Sequence, residues 1–119
     1  MKTDNIILDK SFAFAIRIIN AYKFLVSDKK EFILSKQLLR SGTSIGANIE
    51  ESVGGQSKAD FVSKISIAYK EARETVYWIK LLLATDYLTK EIAESLIKDA
   101  EELCKIIGKI QTTIKNRNS

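Results

Sequence analysis

The amino-acid sequence predicts an all-α protein, an antiparallel up-down-up-down four-helix bundle that assembles as a homo-oligomer. Its 119 residues include no proline, although average usage of about 5% would give roughly six. Apolar residues recur at spacings of three and four through four long segments. Short polar turns connect these segments, and short connections place successive helices side by side. We therefore expect one domain over residues 1–119, with helices at about 8–27, 31–54, 58–85 and 89–116.

The first predicted helix carries two apolar stripes. The expected core stripe comprises Leu8, Phe12, Ala15, Ile19, Tyr22 and Val26. The stripe beside it comprises Phe14, Ile18, Ala21 and Leu25. Together the two cover roughly half of the helix circumference, which is wider than the ~100° stripe that a surface helix needs. A helix with two apolar sides is expected to have more than one packing partner.

The second predicted helix is the segment around which we expect the chain to be organised. Its core stripe comprises Leu34, Leu38, Ile45, Ile49 and Ser52, with Ser41 and Gly42 between them. A wholly polar stripe lies beside it and comprises Gln37, Arg40, Ser44, Asn48 and Glu51. One interpretation is a hydrogen-bond network that fixes how the helices pack. The other is a ligand or nucleic-acid contact, in which Arg40 would reach a phosphate or a carboxylate.

The third predicted helix follows the Gly54-Gly55 stop and a capping-box pattern that begins at Ser57. Its expected core stripe comprises Phe61, Ile65, Ala68, Ala72, Val76, Ile79 and Leu83. A neighbouring strip comprises Ile67, Glu71, Glu74, Trp78 and Leu81. Large exposed apolar patches are uncommon on monomers, so the surplus apolar faces indicate a homo-oligomer. The predicted subunit interface comprises Phe14, Ile18, Leu25, Ile67, Trp78 and Leu81.

The last part of the chain, residues 103–119, carries the whole excess of positive charge. Residues 1–102 hold 15 basic and 15 acidic groups, whereas residues 103–119 hold four basic groups and no acidic one, giving the net charge of +4. The four are Lys105, Lys109, Lys115 and Arg117. They indicate either an anion-binding surface or cations that match the dipole at a helix C-terminus. Both interpretations stay open on the sequence alone.

The composition excludes several chemistries. No histidine is present, so serine–histidine and cysteine–histidine catalysis are excluded, and the single cysteine, Cys104, is expected to pack in an apolar stripe. We expect no catalytic residue, no metal and no cofactor. A Mg²⁺-dependent nucleotide pyrophosphohydrolase remains an alternative because Glu71 and Glu74 precede a second pair, Glu91 and Glu94. That second pair is expected to face solvent. No apolar run reaches membrane length, and we expect a cytoplasmic protein.

Two segments resemble one known family. The segment 39–52, Leu-Arg-Ser-Gly-Thr-Ser-Ile-Gly-Ala-Asn-Ile-Glu-Glu-Ser, resembles the signature of the 23S rRNA-intervening sequence proteins. Residues 64–68 and 71–75, with Phe61, Tyr77, Leu81 and Leu82, resemble the third-helix pattern of that family. Ser52 departs from the glycine that family members often carry.

The resemblance implies a small bacterial four-helix protein whose relatives form homopentamers and whose cellular role is mostly uncharacterised. A related branch consists of the accessory proteins of diversity-generating retroelements, which bind a reverse transcriptase and nucleic acid. Arg40, Ser44, Asn48, Glu51 and Glu71 match polar positions of the family pattern. The partners that the resemblance implies are further copies of the chain, and RNA, DNA or a nucleic-acid enzyme. A pure protein–protein scaffold is the alternative.

Overall fold

The structure is a computed structural model that describes residues 2–117, with side chains from Ile6 onward. Four α-helices account for most of the described chain: α1 (Lys2–Ser27), α2 (Leu34–Val53), α3 (Lys58–Ala84) and α4 (Lys90–Arg117). No strand occurs within residues 2–117. Residues 1, 118 and 119 of the predicted domain lie outside the described residues. None of the described helices combines the length and hydropathy needed to cross a membrane.

The helices pack in a cycle around one apolar core. α2 packs against α1 and α3, and α4 packs against α3 and, less extensively, α1. Over the described residues, the backbones of α1 and α3 do not approach each other closely, nor do those of α2 and α4, so these pairs lie on the diagonals. All four helices contribute to the core, with Ile18, Ile45, Ile79 and Ile107 among its fully buried side chains. The seam between α1 and α4 carries two ion pairs, Lys10 with Glu102 and Arg17 with Asp99.

The core stripe predicted for α2 is confirmed, apart from Leu34, which is partly buried. Its buried residues are Ser35, Leu38, Ser41, Gly42, Ile45, Ile49 and Ser52. Small residues are needed here because α1 approaches closely. A Cβ atom at Gly42 would lie 2.7 Å from Ile18 Cγ1. The poor helix propensity of this segment is therefore offset by packing that only small side chains allow.

The start of α2 is defined by one buried carboxylate. Glu31 is only 8% exposed, and its side chain accepts hydrogen bonds from the backbone N–H groups of Ile33, Leu34 and Ser35. The Ser35 hydroxyl donates to the Glu31 carbonyl at 2.8 Å. The sequence prediction placed Glu31 inside the helix, whereas it lies before the first turn and caps it. Glutamate is an unusual residue for this role, which explains why the pattern of preferred capping residues missed it.

The third helix begins and ends at defined caps. The Ser57 side chain accepts from the Asp60 backbone N–H at 3.0 Å, as the capping-box pattern predicts. At the other end Asp86 has φ of 67°. The backbone N–H of Asp86 donates to the Leu83 carbonyl and that of Tyr87 to the Leu82 carbonyl. These two bonds form a Schellman motif with aspartate at the left-handed position that glycine usually occupies.

Two predictions for α1 were wrong. The helix begins at Lys2, not at Leu8. The two stripes are also exchanged: Phe14, Ile18 and Leu25 form the core together with Ile7, whereas Phe12 is 71% exposed. Both stripes are apolar and both have helical spacing, so periodicity alone did not show which one faces the other helices.

The predicted stripes of α3 and α4 need smaller corrections. Thr75 and Leu82 of α3 are buried, although neither belonged to its predicted stripe. In α4 the buried residue of the first turn is Ala93, whereas Ile92 is 42% exposed.

Candidate functional site

The polar stripe of α2 joins α3 through Arg40. The Arg40 guanidinium donates to Glu71 Oε2 at 3.2 Å and to Gln37 Oε1 at 3.2 Å, and it pairs with Glu74. Glu74 also accepts a hydrogen bond from the Trp78 indole at 2.9 Å. One guanidinium thus connects two carboxylates of the neighbouring helix, and one of these orients a tryptophan. We call Gln37, Arg40, Glu71, Glu74 and Trp78 the Arg40 cluster.

Contacts within the cluster affect the pKa of Glu74. The indole bond from Trp78 and the Arg40 guanidinium hold the pKa of the Glu74 carboxyl below its usual range, although partial burial acts in the opposite direction. Glu74 is therefore ionised at neutral pH. The two carboxylates are engaged with a guanidinium, which is an arrangement suited to fixing helix packing.

The remaining polar-stripe residues also form hydrogen bonds and an ion pair with residues of the helices. Ser44 donates to the Arg40 carbonyl at 2.6 Å, and Asn48 donates to the Ser44 carbonyl at 2.8 Å. Glu51 pairs with Lys64 of α3 at 3.4 Å. The α2–α3 interface also contains a buried hydroxyl pair, in which Thr75 donates to Ser41 at 3.0 Å. Ser44 and Asn48 thus bond only within α2, whereas Arg40 and Glu51 of the stripe join α2 to α3.

The two acidic pairs that suggested a hydrolase have different surroundings. Glu71 and Glu74 pair with Arg40, whereas Glu91 and Glu94 are exposed on α4. No group of three or more cysteine or acidic side chains among the described residues has a geometry suited to a metal ion.

The predicted subunit interface needs correction. Phe14, Ile18 and Leu25 are at most 2% exposed because they lie in the core of their own chain. They have no surface left for another copy. Of the α3 residues in the prediction, Ile67 is exposed and Leu81 is half-buried, while Trp78 packs against the core and donates to Glu74.

Three of the exposed apolar side chains of α1, Phe12, Ile16 and Ile19, lie together. These residues recur at spacings of four and three, so they share one side of the helix. Beside them is a groove between α1 and α2 with a volume of about 230 Å³. Its apolar and small lining residues include Leu8, Phe12, Ala15, Gly46 and Ala47. We call this the α1–α2 face.

The four basic residues near the chain end do not share one face. Lys115 and Arg117 are two residues apart, so their side chains point about 200° apart around α4. Lys109 is exposed one turn after Lys105. Lys105 lines a separate groove of about 590 Å³ between α3 and α4. We call this the α3–α4 groove.

The α3–α4 groove is cationic and partly aromatic. Its lining residues are Tyr69, Arg73, Val76, Tyr77, Lys80, Glu101, Cys104 and Lys105. Three cations and one carboxylate among them give a formal charge of +2. Partial burial raises the pKa of the Cys104 thiol, although the Arg73 guanidinium acts in the opposite direction. Cys104 is therefore a protonated packing residue at neutral pH, and the sequence prediction of its role agrees with this position.

Sequence reasoning missed several members of these surfaces. Glu74 shares a helix strip with Glu71, but it was not assigned to the polar network. Arg73 and Lys80 drew no attention because their charges are balanced within residues 1–102. A cation–aromatic repeat at helical spacing, Tyr69, Arg73, Tyr77 and Lys80, was the available signal.

Fold and surfaces together define a class: a small all-α protein of four packed helices whose polar residues join neighbouring helices. The chain belongs to the family of the 23S rRNA-intervening sequence protein, whose sequence model matches residues 3–109. The family resemblance is thus confirmed.

One solved structure is similar over nearly the whole chain. It is a 1.70 Å crystal structure of a protein with unknown function from the S23 ribosomal protein family of Bacteroides thetaiotaomicron VPI-5482. The TM-score is 0.91 with 55% sequence identity, and the similarity covers 92% of this chain and 98% of the other. No match was found among curated proteins.

Proposed function

We propose that this protein is a non-enzymatic binding module that works as a ring of identical chains. The observation that carries the proposal is the α1–α2 face, on which Phe12 is 71% exposed beside Ile16 and Ile19. Exposing this much contiguous apolar surface to water is unfavourable, and its burial against another copy removes that cost.

The proposal assumes an antiparallel up-down-up-down course of the helices, which the pairing of residues supports. Between α1 and α4, Lys10 meets Glu102 and Arg17 meets Asp99. Between α2 and α3, Arg40 meets Glu71 and Glu51 meets Lys64. In both seams the residue number rises along one helix while it falls along the other.

A ring requires two different surfaces on each chain. The second surface that we propose is the outer side of α3, where Ile67 and the half-buried Leu81 lie. α1 and α3 occupy diagonal positions, so the α1–α2 face and the outer side of α3 are two different surfaces. A contact between the first surface of one chain and the second surface of the next chain is therefore heterologous. Heterologous contacts generate closed rings when the rotation closes. Such a ring is compatible with the pentamer that the family resemblance implies.

A mixing experiment tests this arrangement. Phe12→Glu disrupts the α1–α2 face and leaves the proposed surface on α3 intact. Ile67→Glu disrupts the surface on α3 and leaves the α1–α2 face intact. Each variant alone is expected to be monomeric by light scattering, and an equimolar mixture is expected to form a 1:1 dimer through the two intact surfaces. Ile92→Glu, at an exposed isoleucine of α4, serves as the control and is expected to keep the wild-type mass. Two monomeric variants that do not associate on mixing would refute the heterologous contact.

A second candidate function is binding of RNA, DNA or a nucleic-acid enzyme through the cations of α4. The supporting observation is that Lys105, Lys109 and Lys115 have no ion pair to another described residue. A ring would multiply these charges. Replacing Lys105, Lys109, Lys115 and Arg117 by glutamine should flatten the salt dependence of binding to labelled duplex DNA and structured RNA. An unchanged slope would exclude these residues as the phosphate contacts.

A further inference from the structure

The cations in the seams of the bundle differ from those of the α3–α4 groove in whether they form an ion pair. In the seams of α1 with α4 and of α2 with α3, Lys10, Arg17, Arg40 and Lys64 each pair with a carboxylate. In the α3–α4 groove, by contrast, Arg73, Lys80 and Lys105 have neither an ion pair nor a side-chain hydrogen bond to any described residue. Glu101 also lines this groove, so its formal charge is +2.

Aromatic side chains alternate with these cations along α3. Tyr69, Arg73 and Tyr77 are spaced by four residues, and Lys80 follows three residues later, so all four lie along one side of the helix. Tyr77 is 56% exposed, and its ring contacts Trp78 edge to face, with the centroids 5.3 Å apart. Trp78 thereby supports the ring of Tyr77, a residue that stays more than half exposed.

The floor of the groove is apolar and anchored. Tyr69, Val76 and Cys104 pack against the hydrophobic core. The ring of Tyr69 lies against Gly108, where a Cβ atom would be 3.7 Å from Tyr69 Cε1. The site therefore combines an apolar floor, an exposed tyrosine and three cations, which outnumber the one carboxylate, Glu101, in a volume of about 590 Å³. That volume lies in the range of pockets that hold small ligands.

We propose that the α3–α4 groove binds a nucleoside phosphate, with the phosphate held by Arg73, Lys80 and Lys105 and the base stacked on Tyr77. Guanidinium and ammonium groups are the usual phosphate ligands, and stacking on an aromatic ring accepts any base. The ligand is either a free nucleotide or a nucleotide unit of a single strand, because both present the same chemistry. All lining residues belong to one chain, so the site does not depend on the proposed ring.

The single cysteine provides a local probe. Cys104 lies in the groove and is the only thiol in the chain, so its alkylation by iodoacetamide, followed at alkaline pH because burial raises the pKa of this thiol, reports on access to the groove. ADP, and separately a short single-stranded oligoadenylate, are titrated while the alkylation rate and the heat of binding are followed. At least one of these probes is expected to slow alkylation several-fold. Pyrophosphate, which lacks a base, is expected to protect less than ADP.

Matched variants separate the groove from the chain end. The groove pair, Lys80→Gln with Lys105→Gln, should weaken binding at least tenfold. The chain-end pair, Lys115→Gln with Arg117→Gln, changes the net charge equally and should leave binding unchanged. Tyr77→Leu should weaken binding and Tyr77→Phe should restore it, which a purely ionic contact would not require.

The same titrations show which ligand binds and whether the α3–α4 groove is its binding site. Protection by ADP identifies a free nucleotide, and protection by the oligoadenylate alone identifies a strand. Absence of protection by either probe, or equal losses in the groove pair and the chain-end pair, would overturn the proposal. The titration is repeated with Phe12→Glu, and the mass of this variant is measured by light scattering. This comparison shows whether binding depends on the proposed ring.

Discussion

Gly42 of α2 faces Ile18 of α1 at a distance that leaves no room for a side chain. A Cβ atom at residue 42 would lie 2.7 Å from Ile18 Cγ1 and 2.8 Å from Ile18 Cγ2. Ile18 is fully buried, so it cannot move aside into solvent. This contact sets how closely α1 and α2 approach. It explains why a helix that organises the core contains glycine in its interior.

We predict that Gly42→Ala destabilises the protein although alanine is the better helix former. Overpacking costs about 1–3 kcal/mol and the gain in helix propensity is about 1 kcal/mol, so the free energy of unfolding should fall by about 1 kcal/mol. Urea denaturation measures the change. Gly46→Ala is the matched control on the same helix: its Cβ would lie 3.4 Å from Ser11, an ordinary contact, so it should be neutral or stabilising.

A double-mutant cycle shows whether Ile18 is the cause. Ile18→Ala removes both Cγ atoms and leaves only the Cβ of residue 18, at 3.2 Å, so in that background Gly42→Ala should be much less destabilising than in the wild type. If Gly42→Ala were equally destabilising with and without Ile18, the close approach to α1 would not be the reason for glycine at this position.

The second prediction concerns the carboxylate that caps α2. Burial acts to raise the pKa of the Glu31 carboxyl, but the backbone N–H groups of Leu34, Ser35 and Ile33 outweigh burial and hold that pKa below its usual range. A carboxyl with a lowered pKa in the folded state stabilises the fold above its unfolded pKa. That contribution is lost as the pH falls through the folded-state pKa.

Glu31→Gln should therefore reduce the free energy of unfolding by about 1 kcal/mol at pH 7. The difference from wild type should shrink at pH values below the ordinary glutamate pKa of about 4.3. Denaturation curves at neutral and acidic pH test this. Glu50→Gln, on the exposed side of α2, should change stability little at either pH. A difference for Glu31→Gln that stays constant down to acidic pH would show that ionisation of this group is not involved.

The third prediction concerns the end of α3. Asp86 has φ of 67°, a conformation that costs non-glycine residues about 1 kcal/mol or more. Asp86→Gly should therefore raise the melting temperature, and its expected gain in unfolding free energy is about 1 kcal/mol. Lys30→Gly should act in the same direction, because its φ is 54°. Lys29→Gly, at a residue without positive φ, should be neutral or destabilising, and a gain there as large as at Asp86 would contradict the explanation.

The sequence was sufficient for the core of α2 and the start of α3. Leu38, Ile45 and Ile49 recur at helical spacing against polar residues, so only one face of α2 can be buried. The start of α3 is marked by Ser57 three residues before Asp60, a local pattern that needs no tertiary information.

The sequence was insufficient to predict which residues are buried where two arrangements of a helix fit the same apolar pattern. Phe12 and Phe14 belong to two equally apolar stripes of α1, and only the neighbouring helices decide which is buried. The α3–α4 groove was missed for a related reason. Arg73 and Lys105 lie 32 positions apart, and nothing in the sequence shows that their helices bring them into one groove in which cations outnumber carboxylates.

The solution mass of the wild-type protein tests the central claim most directly. Light scattering over a range of concentrations should give a closed oligomer of the 13.4 kDa chain, and a ring of five would weigh about 67 kDa. Phe12→Glu should reduce the mass to that of one chain. A wild-type protein that stays at 13.4 kDa throughout the concentration range would contradict the account, because the exposed apolar face of α1 would then have no partner copy.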